Sequence, residues 1–153
     1  MRLNVGCGND YREGWANLDL GECRCDISHD IEETPWPIES NTVTDILMKH
    51  VLEHVSRENF VDVIREMYRV CTPGALIHIE VPYAGSDNFW TDPTHKMPIT
   101  PRTLDYFDPS KALRENGEIY GWGDVNFSVN AQLVNNPPNG PDVFFNITVN
   151  KEA

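Results

Sequence analysis

The sequence lacks any run of the roughly 20 apolar residues that a membrane-spanning helix requires. Residues 1–5 lead directly into a β-prone stretch, and they lack the apolar core and small-residue cleavage site of a secretory signal peptide. We therefore expect a soluble, cytoplasmic protein that makes no contact with a membrane.

Basic residues are scarce. The chain has 12 Lys and Arg against 24 Asp and Glu, which gives a formal net charge of −12. Phosphate backbones repel such a surface, and no cluster of Lys or Arg stands out, so the composition argues against a nucleic-acid partner. A positively charged ligand, by contrast, suits an acidic protein.

The four cysteines form no recognisable metal motif. In a cytoplasmic chain, Cys7, Cys23, Cys25 and Cys71 should be reduced thiols. Cys23 and Cys25 with His29 nearby are the one candidate for a metal site, but their spacing differs from the usual Cys-x2-Cys pair and no second pair follows. We predict no metal there.

At 153 residues the chain is long enough to form one domain with a buried core. Short β-prone runs come first, one helix follows, and further β-prone runs end the chain. Asn and Pro residues at 135–140 should join the last two runs as an antiparallel hairpin. The predicted strands cover residues 3–5, 17–20, 26–31, 43–51, 75–81, 118–134 and 142–149.

One helix is clearly predicted. Ser56 is its candidate N-cap, and the pair Pro73 and Gly74 should end it. A shorter helix should begin near Thr100 and Pro101. The apolar stripe that marks the long helix consists of Phe60, Ile64, Met67 and Cys71.

The first strand runs into the turn Gly6-Cys7-Gly8, where glycines allow a sharp bend and the close approach of a ligand. An ordinary turn is the alternative, because short glycine motifs are common. A nicotinamide-binding motif is disfavoured: Tyr11 stands where its third glycine belongs, and the acid Asp19 comes too early.

Five segments in order resemble the successive motifs of class I S-adenosylmethionine (SAM)-dependent methyltransferases, most closely the small type-11-like members common in bacteria and phages. The resemblance covers roughly residues 2–107. It implies a minimal Rossmann-like α/β fold, mostly parallel with a C-terminal antiparallel hairpin, and transfer of a methyl group from SAM to an unidentified acceptor. The segments are Leu3-Asn4-Val5-Gly6-Cys7-Gly8, Asn17-Leu18-Asp19, His29-Asp30-Ile31, Val51-Leu52-Glu53-His54-Val55 and Arg69-Val70-Cys71-Thr72-Pro73-Gly74-Ala75.

The resemblance also assigns roles by position. The strand-end carboxylate of Asp19 would accept hydrogen bonds from the ribose hydroxyls, which is chemistry that a carboxylate can perform. Asp30 and Ile31 would contact the adenine, although a loop Asp that caps a turn is the alternative for Asp30. The rest of the predicted cofactor set is Val5, Gly6, Cys7, Gly8, Asn9 and Leu20, with His50 and Val51 as the floor beside the methionine moiety.

The chain departs from that family in one important respect. Only about eight residues separate Asp10 from Asp19, which is too few for a crossover helix. We therefore expect some crossover helices to be missing and one sheet face to be covered by loops, by the segment around Trp36 or by a second subunit. An exposed apolar sheet face makes a homodimer plausible. Asn4 replaces an acid common among relatives, which should weaken one contact to the SAM amine.

Candidates for a general base follow the fifth predicted strand: Tyr83, Asp92 and His95. His95 has the most suitable intrinsic pKa, although its alternative role is to pin the loop by hydrogen bonds. The competing function is a SAM-binding protein without catalysis, or a partner subunit of another methyltransferase.

Overall fold

A computed structural model describes residues 1–138 and 140–152. Asn139, in the predicted hairpin turn, and Ala153, at the end of the predicted domain, lie outside the described residues. Seven strands form one mixed sheet in the order β3-β2-β1-β4-β5-β7-β6. The strands are β1 (Arg2–Val5), β2 (Ala16–Asp19), β3 (Ile27–Ser28), β4 (Val43–Lys49), β5 (Cys71–Pro82), β6 (Phe127–Asn135) and β7 (Pro141–Val149).

The sheet is parallel from β3 to β5 and antiparallel at its other edge. The predicted hairpin is confirmed, because β6 and β7 pair from Phe127↔Val149 to Asn135↔Pro141. The carboxyl ends of the parallel strands share one edge of the sheet, where α/β proteins bind their ligands. The site should therefore lie beyond Val5, Asp19 and Lys49.

A single full-length helix, α1 (Phe60–Val70), connects two neighbouring parallel strands, β4 and β5. Its apolar side is buried against the sheet, where it contributes Val63, Ile64 and Met67 to the core at 0% exposure. Shorter helices are α2 (Asp87–Thr91) and α3 (Arg114–Ile119), and single 3₁₀ turns occupy Leu52–His54 and Asp105–Phe107. Within the described residues no helix is long and apolar enough to cross a membrane.

Both predicted ends of α1 are wrong. Ser56 does not cap it, because Ser56 donates hydrogen bonds from its backbone N–H and its hydroxyl to Glu32. The helix also ends at Val70, ahead of Pro73 and Gly74, which lie inside β5. The pairing with β4 slips there, from Val43↔Cys71 to Asp45↔Leu76, and such an irregularity accommodates Pro and Gly in a strand.

Two further predictions fail between β5 and β6. The stretch around Thr100 forms turns rather than a helix, and its helical turn comes later, at Asp105–Phe107. The long strand predicted from Glu118 begins only at Phe127, because Arg114–Ile119 is helical. Ile119 and Tyr120 have side chains that favour strands, which is why a strand was predicted here. They are 79% and 57% exposed, so neither side chain packs against the sheet.

The predicted loss of crossover helices is confirmed. In the described residues no helix lies between β1 and β2, between β2 and β3, or between β3 and β4. Over β1 and β2 the loop of residues 9–15 takes the place of a helix. The Asn4 amide donates to Asp10 O at 2.7 Å and to Asn17 Oδ1 at 3.0 Å, and the Arg12 N–H donates to Asn17 Oδ1 at 2.9 Å.

The segment around Trp36 covers the sheet beside α1. Trp36 is 2% exposed, its backbone N–H donates to Glu66 Oε2 at 2.7 Å, and its indole N–H donates to Ile31 O at 2.8 Å. Arg69 donates to both oxygens of Glu66 at 2.8 Å and to Ile38 O at 2.9 Å. From the sequence we expected loops, the Trp36 segment or a second subunit to cover the sheet where helices are missing. The first two are present within the chain.

The open sheet face over β4, β5 and β7 carries both apolar and polar side chains. Leu76 is 56% exposed there, and Trp15 and Leu47 line the same face. The polar residues include Asp45, His78, Asn146 and Thr148. The homodimer expected from an exposed apolar face therefore stays a prediction.

Candidate active site

A cleft of about 280 Å³ opens beyond the carboxyl ends of β1, β2 and β4. Seven of the eleven residues predicted to bind the cofactor line it, although they are spread over 46 positions of the sequence. They are Gly6, Asp19, Leu20, Asp30, Ile31, His50 and Val51. The sequence analysis did not assign to the cofactor five other lining residues: Leu18, His29, Glu32, His54 and Val55.

Gly6 shapes the floor of this cleft. Its φ is +65°, and a Cβ built on it would lie 2.2 Å from Val51 Cγ2. The N–H groups of Gly6 and Cys7 both donate to Leu18 O, at 2.7 and 3.1 Å, which fixes the bend against β2. Only glycine tolerates both the positive φ and the contact with Val51.

Asp19 joins the two loops at the cleft. Its Oδ2 accepts a hydrogen bond from the Gly8 N–H at 2.8 Å, and its Oδ1 accepts one from the Gly21 N–H at 2.7 Å. An ionised carboxylate offers about four lone-pair positions, so each oxygen can accept a further donor. Asp19 therefore has a fixed orientation and spare capacity for a diol.

Asp30 lines the cleft. It also caps a turn, which was the alternative interpretation of this residue, because its Oδ1 accepts a hydrogen bond from the Glu32 N–H at 2.9 Å. Beside it, Ile31 packs partly against the core, and its carbonyl holds the indole of Trp36. The turn thus places a carboxylate and an apolar side chain together at the outer end of the cleft.

The other four predicted cofactor residues lie outside the lining of the cleft. Val5 is fully buried, so its side chain belongs to the core. Cys7 is 4% exposed, and burial raises the pKa of its thiol to about 12. Gly8 is tied to Asp19, and Asn9 is exposed. Asn4, for which we expected a weakened contact with SAM, is 3% exposed and donates its side-chain amide to Asp10 O and Asn17 Oδ1 beneath the loop of residues 9–15.

A second, larger cleft of about 730 Å³ adjoins the first, and His50 and His54 line both. Of the three candidate bases, Asp92 and His95 line the second cleft. Tyr83 does not: it packs against the core and over Gly85. The wall also includes Asn88, Thr91 and Asn136.

Two buried acids in this wall were not predicted as site residues. Glu53 is 1% exposed and Asp142 is 0% exposed, and each has one carboxylate oxygen without a hydrogen-bond partner in the described part of the chain. His50 lies between them, with Nδ1 3.7 Å from Glu53 Oε1 and Nε2 3.7 Å from Asp142 Oδ2. The Glu53 carboxylate raises the pKa of His50 above its usual value, although partial burial opposes it.

His50 itself adopts a positive φ of +55° directly after β4. Such a conformation is uncommon for residues other than Gly, although His is among the residues enriched in it, and it frequently occurs at functional sites. The His50 N–H donates to Glu80 O at 2.8 Å, which holds the strained residue to β5. The boundary between the two clefts is therefore rigidly defined.

The loop that carries Asp92 and His95 is fastened to the turn that carries Glu53. The N–H groups of Lys96 and Met97 donate to Glu53 O at 2.8 and 3.0 Å. His95 Nδ1 lies 2.7 Å from Phe89 O, so His95 does pin the loop, as the alternative proposed. Its Nε2 is left on the cleft side, 3.6 Å from Asp92 Oδ2.

The cysteines group differently from the candidate of Cys23, Cys25 and His29 that the sequence analysis rejected as a metal site. Ligand atoms of Cys7, Asp19 and Cys23 lie within 4.8 Å of one another, whereas Cys25 and His29 are not part of this group. Burial raises the pKa of both Cys7 and Cys23.

Comparison with known proteins agrees with this geometry. Residues 15–79 match the family model of a methyltransferase domain. No curated protein matched the chain. Among solved structures, a SAM-dependent methyltransferase from Archaeoglobus fulgidus is 20% identical, with a TM-score of 0.69 over 96% of this chain and 84% of that one.

Two further solved structures are similar. The 1,6-didemethyltoxoflavin-N1-methyltransferase of Burkholderia thailandensis, solved with S-adenosylhomocysteine, is 12% identical, with a TM-score of 0.65 over 97% of this chain and 70% of that one. A chain in a complex of the Haloferax volcanii Trm112 methyltransferase activator is 11% identical, with a TM-score of 0.62 over 98% and 82%.

The fold is therefore that of the class I methyltransferases, in a form with few helices. Residues 15–79 match a methyltransferase domain, and the solved structures that share this fold include SAM-dependent methyltransferases.

Proposed function

We propose that residues 1–153 form one catalytic domain, which holds SAM in the first cleft and the methyl acceptor in the second. The observation that carries the proposal is the shared boundary: His50 and His54 line both clefts, so a donor in one would face an acceptor in the other. When bound, SAM supplies a methyl group on a positively charged sulfur, which a nucleophile can attack in line.

The residues of the first cleft fit SAM. The absent side chain of Gly6 leaves room beside Val51. The oriented Asp19 has acceptor capacity for a ribose diol, Asp30 can accept from an amino group, and Ile31 offers an apolar surface to a base. The buried acids behind His50 give the methionine end a negative environment, which suits a sulfonium.

The acceptor site is acidic. Glu53, Asp92 and Asp142 all line the second cleft, and only histidines offset them. Phosphate-bearing and other strongly anionic acceptors are disfavoured there, which agrees with the net charge of −12. We propose a neutral or cationic small molecule as the acceptor.

Positioning should supply much of the rate, because the sulfonium is already a good leaving group. His95 and Asp92 remain our candidates to receive a proton from the acceptor. The Nε2 of His95 is available for it, because Nδ1 is engaged with Phe89 O.

A thermal-shift and calorimetric titration with SAM and S-adenosylhomocysteine tests the cofactor assignment. Both ligands should raise the Tm of the wild-type protein. Asp19→Asn keeps the size of the side chain but removes its charge, and we expect SAM binding to weaken about 10- to 100-fold, since hydrogen bonds to charged groups contribute about 1.5–3 kcal/mol. Asp10→Asn, at an exposed ion pair with Arg12, is the matched control.

Binding of NADH in place of SAM would overturn the assignment, as would unchanged SAM affinity in Asp19→Asn.

A second function deserves a test because crossover helices are missing and because a similar chain was solved with a methyltransferase activator. The chain would then bind SAM without turnover, or act as a subunit of another methyltransferase. Tight SAM binding without methyl transfer to a broad panel of amines, thiols and hydroxyl compounds would favour this alternative.

We also propose that the chain forms a homodimer, and light scattering would test this oligomeric state. A cytoplasmic location stays our proposal and is compatible with four free cysteines.

A further inference from the structure

Three side chains converge in the second cleft in a way that methyl transfer does not itself require. Glu53, His54 and His95 each present a ligand atom, and these atoms lie within 4.8 Å of one another. The rings of His54 and His95 meet edge to face at 4.9 Å. All three residues belong to the turn after β4 or to the loop fastened to it.

Both histidines are held in the same tautomer. His54 Nδ1 lies 3.2 Å from Thr94 O, and His95 Nδ1 lies 2.7 Å from Phe89 O. A carbonyl oxygen only accepts hydrogen bonds, so in the neutral rings each Nδ1 carries the proton and each Nε2 keeps its lone pair. Histidines that bind metals show this arrangement, with Nδ1–H on a carbonyl and Nε2 on the metal.

Further contacts fix these orientations. The Thr94 hydroxyl donates to Asp92 Oδ1 at 2.6 Å, which leaves its oxygen free to accept from His54 Nδ1, 3.2 Å away. The His95 ring stacks on Phe89 at 5.2 Å. The two Nε2 lone pairs are therefore positioned before any ligand arrives.

Glu53 gives a second, independent indication that this cluster binds a cation. It is 1% exposed, its Oε2 has no hydrogen-bond partner in the described part of the chain, and its Oε1 lies 3.8 Å from His54 Nε2. A buried carboxylate oxygen without a partner is costly. A metal ion between Glu53 and the two histidines would satisfy it.

We propose that Glu53, His54 and His95 form a binding site for a divalent transition-metal ion. Two imidazole nitrogens and one carboxylate are a donor set that suits Zn²⁺ and Fe²⁺, with positions left open for another ligand. Ligand atoms around a tetrahedral ion are roughly 3.4 Å apart for bonds of about 2.1 Å. Small side-chain rotations would close the present separations.

The metal's role rests on the proposed function. The open positions would face the acceptor cleft, where the ion would bind an oxygen or sulfur of the acceptor and lower its pKa. His95 would then serve as a ligand, and the proton released by the hydroxyl or thiol of the acceptor would pass to Asp92, which lines the same cleft. The acceptor class narrows to hydroxyl and thiol compounds that coordinate a metal.

Titration of chelator-treated protein with Co²⁺, followed by visible absorption and calorimetry, tests the site. A Cys23→Ser background removes the competing group of Cys7, Asp19 and Cys23. We expect one equivalent of Co²⁺ with d–d absorption, and at least a 10-fold loss of affinity in His54→Ala and His95→Ala, since even the loss of a supporting contact costs about 10- to 100-fold.

His78→Ala is the matched control, because His78 forms a separate pair with Glu80 on the open sheet face. It should leave Co²⁺ binding unchanged. Circular dichroism separates loss of folding from loss of a ligand, and Glu53→Gln offers a third variant of nearly unchanged size.

The proposal fails if the wild-type protein binds no Co²⁺, or if His54→Ala and His95→Ala bind it as the wild type does. Those results would leave the three residues as hydrogen-bonded pairs without a metal. Co²⁺ binding should survive Asp19→Asn, whereas SAM binding should not, so failure of the metal site and failure of the cofactor assignment give different results.

Discussion

The contact between Gly6 and Val51 makes a sharp prediction about the cofactor cleft. Gly6→Ala and Gly8→Ala both place a side chain at positive φ, +65° and +49°. Only at Gly6 does the new Cβ meet another group, Val51 Cγ2 at 2.2 Å, whereas nothing lies within 4 Å of a Cβ at Gly8. Comparison of the two variants therefore separates the cost of backbone strain from the cost of steric overlap with Val51.

The expected magnitudes follow from this difference. Positive φ at a residue other than glycine costs on the order of 1–3 kcal/mol, and this cost should appear in both variants. Overpacking adds about 1–3 kcal/mol at Gly6 alone. For a chain of this size, 1 kcal/mol shifts the Tm by about 2–4 °C, so Gly6→Ala should unfold roughly 2–12 °C below Gly8→Ala.

Urea or thermal unfolding measures stability, and calorimetry measures SAM affinity. Val51→Ala removes both Cγ atoms that a Cβ at position 6 would meet, and leaves Val51 Cβ at 3.1 Å. The double variant Gly6→Ala/Val51→Ala should therefore be more stable than the sum of the single effects predicts, by about 0.5–3 kcal/mol. Equal destabilisation of the two glycine variants, with additive energies in the double variant, would refute the reasoning.

Three other predictions address the scaffold. Burial alone would raise the pKa of Glu66, but its bonds with Arg69 and a backbone N–H lower it below 4.5. The resulting stability is present above pH 4.5 and lost as the pH falls through the folded pKa, so Glu66→Gln should cost about 1–3 kcal/mol at pH 7 and flatten the acid limb of a stability–pH curve. If that limb keeps its slope, Glu66 is not its source. Burial raises the pKa of Cys7 and Cys71 to about 12, so a thiol reagent at pH 8 should leave these two cysteines unlabelled until denaturant is added; fast labelling of either in the native protein would contradict this. Asn17→Leu should destabilise the protein by at least about 2 kcal/mol, because it strands several buried groups, and a neutral result in urea unfolding would show that the loop of residues 9–15 is held by other contacts.

The sequence was sufficient to predict those parts of the fold and the site that depend on residues close together in the chain. The bend at Gly6 and the acid Asp19 close a short strand-turn-strand unit, so their meeting in one cleft follows from chain order and parallel pairing. The count of residues between Asp10 and Asp19 likewise predicted the missing helix. The stripe from Phe60 to Met67 faces the core as its periodicity indicates.

Contacts between residues far apart in the chain could not be predicted from the sequence. Glu53 and Asp142 meet on opposite sides of His50 only because β7 inserts beside β5, and no local pattern marks Asp142. Glu53 did carry a local signal, an acid beside apolar residues in Val51-Leu52-Glu53-His54-Val55, but that pattern alone does not mark a residue of the site. The predicted end of α1 was wrong because Cys71 pairs with Val43 of β4, so the helix ends at Val70, ahead of the helix-breaking Pro73.

The polar fastening of the loop of residues 9–15 has a practical consequence. Its part-buried hydrogen bonds fall at its two ends, at Asp10 and Arg12 on one side and at Trp15 O on the other. Glu13 and Gly14 at the tip are exposed and accept hydrogen bonds only from the exposed side chains of Arg24 and Arg2 in the described part of the chain. Exposed tips with firmly held ends are the places where proteins accept foreign segments. A fluorescent reporter peptide inserted between Glu13 and Gly14 would label the protein outside the lining of the cofactor cleft and leave Gly6 and Asp19 untouched.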